Sequence, residues 1–197
     1  ALSQSAALLS QSHVTPVCVT RGLPTLEELA HKFGSGKSVW TQGGSANVGG
    51  QADGGGHGFA RQYARLLEHR RARVRRGLEF GVFFGASILM WRDYLPAAEV
   101  VGVDSFAGKL GHGTTFADPR RFMERWRNKS VGARVRLIEA DQSRRADLER
   151  VVSSVSDGAG FDLVVDDGSH KNRDQQLTLA HEQRDSNLIS RACRAVG

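Results

Sequence analysis

The sequence predicts an α/β fold, an open and mostly parallel sheet whose strands alternate with helices. Three observations carry this. Short runs at 76–80, 99–104, 134–139 and 161–166 have the length of strands, and the last three carry the Val and Ile of buried ones. Segments with helical apolar spacing lie between them. Each run ends at or beside a carboxylate, where an open α/β sheet binds its ligands.

In chain order, Leu26 to Phe33 reads as a short amphipathic helix with Thr25 as its N-cap. Gly34 to Gly58 is dominated by Gly, Ser, Gln and Ala and reads as a flexible loop or insertion. Within it, Gly34-Ser-Gly-Lys-Ser38 invites comparison with a phosphate-binding loop. That motif needs a glycine where His31 stands, and no strand leads into it, so the reading is rejected. Phe59 to His69 has helical spacing at Phe59, Tyr63, Leu66 and Leu67. A first strand over Arg76–Phe80 leads through a glycine turn into a helix over Ser87–Tyr94. Glu99–Asp104 is the second strand. A charged helix around Pro119 to Lys129 and a third strand over Arg134–Glu139 follow. A helix over Ala146–Val155, a fourth strand over Leu163–Val165 and a helix over Asn172–Gln183 complete the pattern. Nothing after Arg184 reads as another strand, so the sheet is expected to be truncated at its C-terminal side. Residues 1–58 are expected to form a leader and 59–197 the α/β domain, incomplete at its C-terminus.

A chain of 197 residues with 40% hydrophobic content can build one domain with a real core. No run approaches the roughly 20 apolar residues of a membrane span. Residues 1–20 lack acidic residues, as a transit peptide does, but also lack its arginines. The net charge of +6 owes much to the arginine run at 70–76. Without interleaved aromatics for base stacking, that run reads as a solvated helix end, and a nucleic-acid partner is not expected. Cys18 and Cys193 form no metal or disulfide pattern.

Four strand ends carry the chemistry. Glu79-Phe-Gly-Val-Phe-Phe-Gly-Ala-Ser87 is a glycine turn that allows close approach of a ligand backbone, although Phe83 stands at the second glycine of the dinucleotide fingerprint. Asp104 ends the second strand, where a nucleotide-binding fold places a carboxylate for ribose hydroxyls; capping of the following loop is the alternative. Asp141-Gln142-Ser143 offers donors and acceptors for an adenine edge, or a helix N-cap. Asp166 and Asp167 suit a hard cation such as Mg²⁺, and His170 is suited to act as a base near neutral pH.

These four segments, together with Met90-Trp-Arg-Asp-Tyr94, resemble class I S-adenosylmethionine-dependent methyltransferases. More narrowly they resemble the metal-dependent sugar O-methyltransferases of macrolide and related antibiotic pathways. Lys37 followed by His57-Gly-Phe-Ala-Arg-Gln-Tyr63 fits a further pattern of that family. The resemblance implies a Rossmann-like methyltransferase sheet and O-methylation of a small-molecule hydroxyl, a sugar or other secondary metabolite, with S-adenosyl-L-methionine and Mg²⁺. It implies that Glu79, Gly81 and Ser87 line the methionine part of the cofactor. Asp104 would hold the ribose, and Asp141 and Gln142 would lie near the adenine. Asp167 would ligate Mg²⁺ and His170 would deprotonate the acceptor. In the family a further strand ends in an acidic pair that completes the metal site, and this sequence shows no such segment. The alternatives are a catalytically inactive, cofactor-binding fragment and a relative of the cephalosporin hydroxylases. A cytoplasmic location is expected.

Overall fold

The computed structural model describes residues 22–38, 58–83, 85–107, 134–155, 160–184 and 193–196. Helix α1 (Leu26–Phe33) and helix α2 (Phe59–Leu67) precede strand β1 (Arg76–Phe80) and helix α3 (Ala86–Tyr94). Strands β2 (Glu99–Asp104) and β3 (Val135–Glu139), helix α4 (Arg145–Val155), strand β4 (Leu163–Asp166), helix α5 (Asn172–Arg184) and strand β5 (Cys193–Val196) follow. The expected helix over 119–129, residues 1–20 and the Gly-rich stretch at 39–57, with His57, lie outside the described residues.

The sheet has the order β3-β2-β1-β4-β5, and every neighbouring pair is parallel. From β1 the chain moves outward to β2 and β3, then returns to place β4 on the other side of β1. The order therefore reverses between β1 and β4, and the crevice beyond their carboxyl ends is the topological switch point. Strand β5 corrects the expectation that no strand follows Arg184: it pairs with β4 from Leu163↔Cys193 to Asp166↔Val196. Four residues of mixed polarity give no strand signal alone, and pairing along the edge of β4 supplies one.

Alternation along the strands sorts side chains onto two faces. Leu78, Phe80, Val101, Val103 and Val164 face one layer, packing with Leu148 and Val151 of α4 and with Leu177 of α5. Val100, Leu163 and Val165 face the other, with α1, α2 and α3. Glu79 lies between Leu78 and Phe80, so its carboxylate points into the α1–α2–α3 layer, where it is buried. Helix α3 is enclosed along most of its length, from Ser87 to Trp91 and at Tyr94. Helix α1 opens with the expected cap: the Glu28 amide donates to Thr25 Oγ1 at 3.2 Å, and the Thr25 amide donates to Glu28 Oε2 at 2.7 Å. It closes on Gly34 in the left-handed conformation, and Leu26, Leu29, Ala30 and Phe33 are buried. The residues just beyond, which the sequence suggests are a flexible loop, are packed: Ser35, Lys37 and Ser38 are all buried.

The loops after β1 and β4 touch at Gly81. Its φ is +90°, and an added Cβ would lie 2.1 Å from the Asp167 carbonyl oxygen. A Gly81→Ala substitution is expected to combine a left-handed backbone penalty with this backbone clash. Denaturant unfolding should show a loss of about 3 kcal/mol or more.

Candidate active site at the carboxyl edge of the sheet

At the switch point a single ammonium bridges two strands. Lys37 Nζ lies 2.9 Å from Glu79 Oε1 at the end of β1, and it also pairs with Asp167 Oδ2 just beyond β4. Its side chain is only 5% exposed. Burial alone would lower the lysine's pKa, but the Glu79 and Asp167 carboxylates outweigh that and hold it above its ordinary value. Burial pushes the Glu79 carboxyl up, and the Lys37 charge and the Ser87 hydrogen bond oppose it. Glu79 also accepts from Ser87 Oγ at 2.7 Å and from Trp91 Nε1 at 3.3 Å, both on α3. The turn between β1 and α3 thus folds back onto its own strand.

Asp104 uses both carboxylate oxygens on backbone amides. Oδ2 accepts from Val82 at 2.9 Å and Phe83 at 3.0 Å, and Oδ1 accepts from Phe106 at 2.9 Å. Phe83 and Phe106, along with His170, are non-glycine residues with positive φ, at 51°, 47° and 57°. Such conformations cost roughly 1–3 kcal/mol each and persist where surrounding bonds over-determine them. Asp104 supplies those bonds for two of the three.

Asp141 and Gln142 diverge. Asp141 Oδ1 accepts from the Ser143 amide at 2.9 Å and Ser143 Oγ at 2.6 Å, and these bonds hold its pKa below the ordinary carboxylate value. The Gln142 carboxamide turns inward instead. Its Nε2 donates to Asp166 Oδ2 at 2.7 Å and to Thr178 Oγ1 at 3.0 Å, and its Oε1 accepts from the Ser169 amide at 3.0 Å. Gln142 therefore ties the β3–α4 turn to the loop after β4 and to α5. Burial raises the Asp166 carboxyl pKa, against the bond from Gln142.

The structure brings Glu79, Gly81, Ser87, Asp167 and His170 together around the β1–β4 crevice, with Asp104 and Asp141 along the same sheet edge. His170 is 64% exposed, with Nε2 at 3.7 Å from Asp167 Oδ1. Sequence reasoning assigned no role to Lys37, Tyr63 or Trp91. Lys37 and Tyr63 lie in one segment of the family resemblance and Trp91 in another, and the contacts that join them near Glu79 span distant parts of the chain. Among the described residues no group of three or more His, Cys, Asp or Glu side chains gathers as a metal-binding set. Asp167 offers the hard oxygens that Mg²⁺ prefers, but one already pairs with Lys37, so the described residues do not by themselves form a Mg²⁺ site.

A Lys37→Met substitution strands a buried carboxylate and is expected to cost about 3–5 kcal/mol at neutral pH. Because burial raises the folded-state Glu79 pKa above its ordinary 4.5, protonation favours the fold. The deficit relative to wild type should therefore shrink as pH falls toward that value. Urea unfolding of both chains across pH 4.5–8 checks this; a deficit independent of pH would assign the loss to packing.

A profile of the family described as "Methyltransferase domain" matches residues 78–185, over half of the chain. The L-olivosyl-oleandolide 3-O-methyltransferase of Streptomyces antibioticus is 29% identical over 90% of this chain and 38% of its own length. The mycinamicin VI 2''-O-methyltransferase of Micromonospora griseorubida is 28% identical over 63% of this chain and 27% of its own. The chain thus spans well under half the length of these relatives. The MycE methyltransferase of the mycinamycin biosynthetic pathway, solved in complex with Mg and SAH, superposes with a TM-score of 0.56 at 24% identity. That superposition covers 83% of this chain and 34% of MycE, and it establishes the fold. Among the described residues no helix is long and apolar enough to cross a membrane. With its switch-point crevice and the matched segment running from β1 into α5, the chain belongs to the methyltransferase domain family and carries the Rossmann-like sheet of the class I enzymes.

Proposed function

We propose that the chain supplies the cofactor and general-base side of an S-adenosylmethionine-dependent O-methyltransferase. Its acceptor would be a small-molecule hydroxyl, and a sugar of a secondary metabolite is the class that the named relatives suggest. The observation that carries the reading is the gathering of Glu79, Asp104, Asp141 and Asp167 along one carboxyl edge of the sheet, around its switch point. In this reading Glu79, Gly81 and Ser87 border the methionine part, Asp104 the ribose and Asp141 the adenine. Gln142 serves the adenine side indirectly, by holding the adjoining loops. A cytoplasmic location, where this soluble cofactor is made, belongs to the same proposal.

S-adenosylmethionine supplies an electrophilic methyl group on a sulfonium. His170, the exposed imidazole beside Asp167, takes the proton of the acceptor hydroxyl. The acceptor oxygen forms a bond to the methyl carbon as the carbon–sulfur bond breaks, leaving a methyl ether and S-adenosylhomocysteine. Positioning of the two reactants in the crevice supplies much of the acceleration. Mg²⁺ is proposed at Asp167, and neither the proton transfer nor the methyl transfer passes through it.

Calorimetric titration of the chain with S-adenosylhomocysteine, with and without Mg²⁺, tests the cofactor half; saturable binding is expected. Absence of binding by a folded chain would contradict the proposal. His170→Ala should retain that binding while lowering turnover of a hydroxylated acceptor by about 10²–10⁴-fold. Undiminished turnover in that variant would remove the base assignment. Binding without turnover in the wild-type chain would favour a silent cofactor-binding module.

A further inference from the structure

The carboxamide of Gln142 and the strained backbone of His170 are two features that the chemistry above leaves unconnected. Gln142 is 9% exposed, and its side chain is bonded within the protein. Its Nε2 donates to Asp166 at the end of β4 and to Thr178 on α5, and its Oε1 accepts from the Ser169 amide. Both N–H donors and part of the acceptor capacity are thus spent internally, which leaves little for an adenine edge. Gly168 admits the carboxamide, since a Cβ there would collide with Gln142 Oε1.

These bonds converge on one short loop. Asp166 Oδ1 accepts from the Gly168 amide at 3.3 Å. Ser169 Oγ donates to Asp174 Oδ2 at 2.8 Å and accepts from the Lys171 amide at 3.2 Å. The backbone is therefore pinned at Ser169 and at Lys171, on either side of His170. His170 itself has a φ of 57°, where a non-glycine residue needs support from its surroundings. Its imidazole is exposed, and the 3.7 Å to Asp167 Oδ1 is too long for a hydrogen bond. Among the described residues it is the loop backbone, more than any side-chain contact, that sets where the imidazole stands.

We propose that Gln142 is a positioning residue for His170, its carboxamide holding the 166–171 loop so that the imidazole stands at the crevice. The inference rests on the general-base reading above. Gln142 then serves the site through the base and not through contact with adenine. The same carboxamide joins the β3–α4 turn, beside Asp141, to the loop that carries the base.

NMR of the chain with ¹³C-labelled histidine imidazoles reads this without an acceptor. There are seven histidines, and His170→Ala identifies the signal. At one fixed pH, saturating S-adenosylhomocysteine is expected to move the His170 Cε1–H resonance in wild type, and that shift is expected to be lost in Gln142→Met. Thr178→Val removes one of the three bonds from α5; it should reduce the shift while calorimetry finds S-adenosylhomocysteine affinity within about 2-fold of wild type. If Gln142→Met does not fold, Thr178→Val decides. A full shift at saturation in the deciding variant would overturn the inference alone, and weaker binding alongside it would return Gln142 to the adenine. Displacement of the other histidine signals in that ligand-free variant would also overturn it, by assigning Gln142 a structural role. Wild type that binds without moving His170 would remove the base reading, and wild type that does not bind would remove the cofactor reading; either takes this inference with it.

Discussion

One buried ammonium organises the carboxyl edge of this sheet. Lys37 enters from the short segment after α1 and neutralises charge at the ends of both strands that flank the switch point. Removing the Lys37 and Glu79 charges from water is expensive, and apolar replacements of such clusters are often as stable or more so. Stability alone therefore gives little reason for the arrangement. What the cluster supplies is position. It fixes Glu79 beneath the β1–α3 turn and Asp167 against Gly81, whose missing side chain lets the two loops meet. It also seats the 34–38 segment, where Ser38 Oγ donates to Glu27 Oε1 at 3.1 Å.

Around that centre the polar side chains at the strand ends largely hold backbone. Asp104 clamps the turn after β1 and the loop after β2, and Asp141 shapes the entry to α4. Gln142 crosses from β3 to the loop after β4, where Gly168 leaves room for its carboxamide. Phe83 and Phe106 are thereby kept in left-handed backbone, and His170 shares that conformation at the same edge of the sheet. Among the described residues such strain gathers at this edge, the pattern expected where loops are shaped for a ligand.

Much of this architecture is legible in the sequence because it is local. The strand at Arg76–Phe80, the helix over Leu26–Phe33 with its Thr25 cap, and the four acidic strand ends are readable from neighbours a few residues apart. What escapes is non-local. Lys37 sits in a Gly/Ser context that reads as solvent-exposed, and only its distant partners Glu79 and Asp167 make burial tolerable. The inward turn of Gln142 depends on Asp166 and Thr178, which lie far along the chain. Strand β5 is too short and too polar to announce itself, and it exists by pairing with β4.

The Lys37 charge couples the two strand ends, and a thermodynamic double-mutant cycle measures that coupling. Unfolding free energies of wild type, Lys37→Met, Asp167→Asn and the double variant isolate the interaction between the ammonium and the β4 carboxylate. A coupling of about 1.5 kcal/mol or more is expected, with the double variant less damaged than the sum of the single ones. Additive effects, within about 0.3–0.5 kcal/mol, would show that Lys37 and Asp167 act independently, and would contradict it.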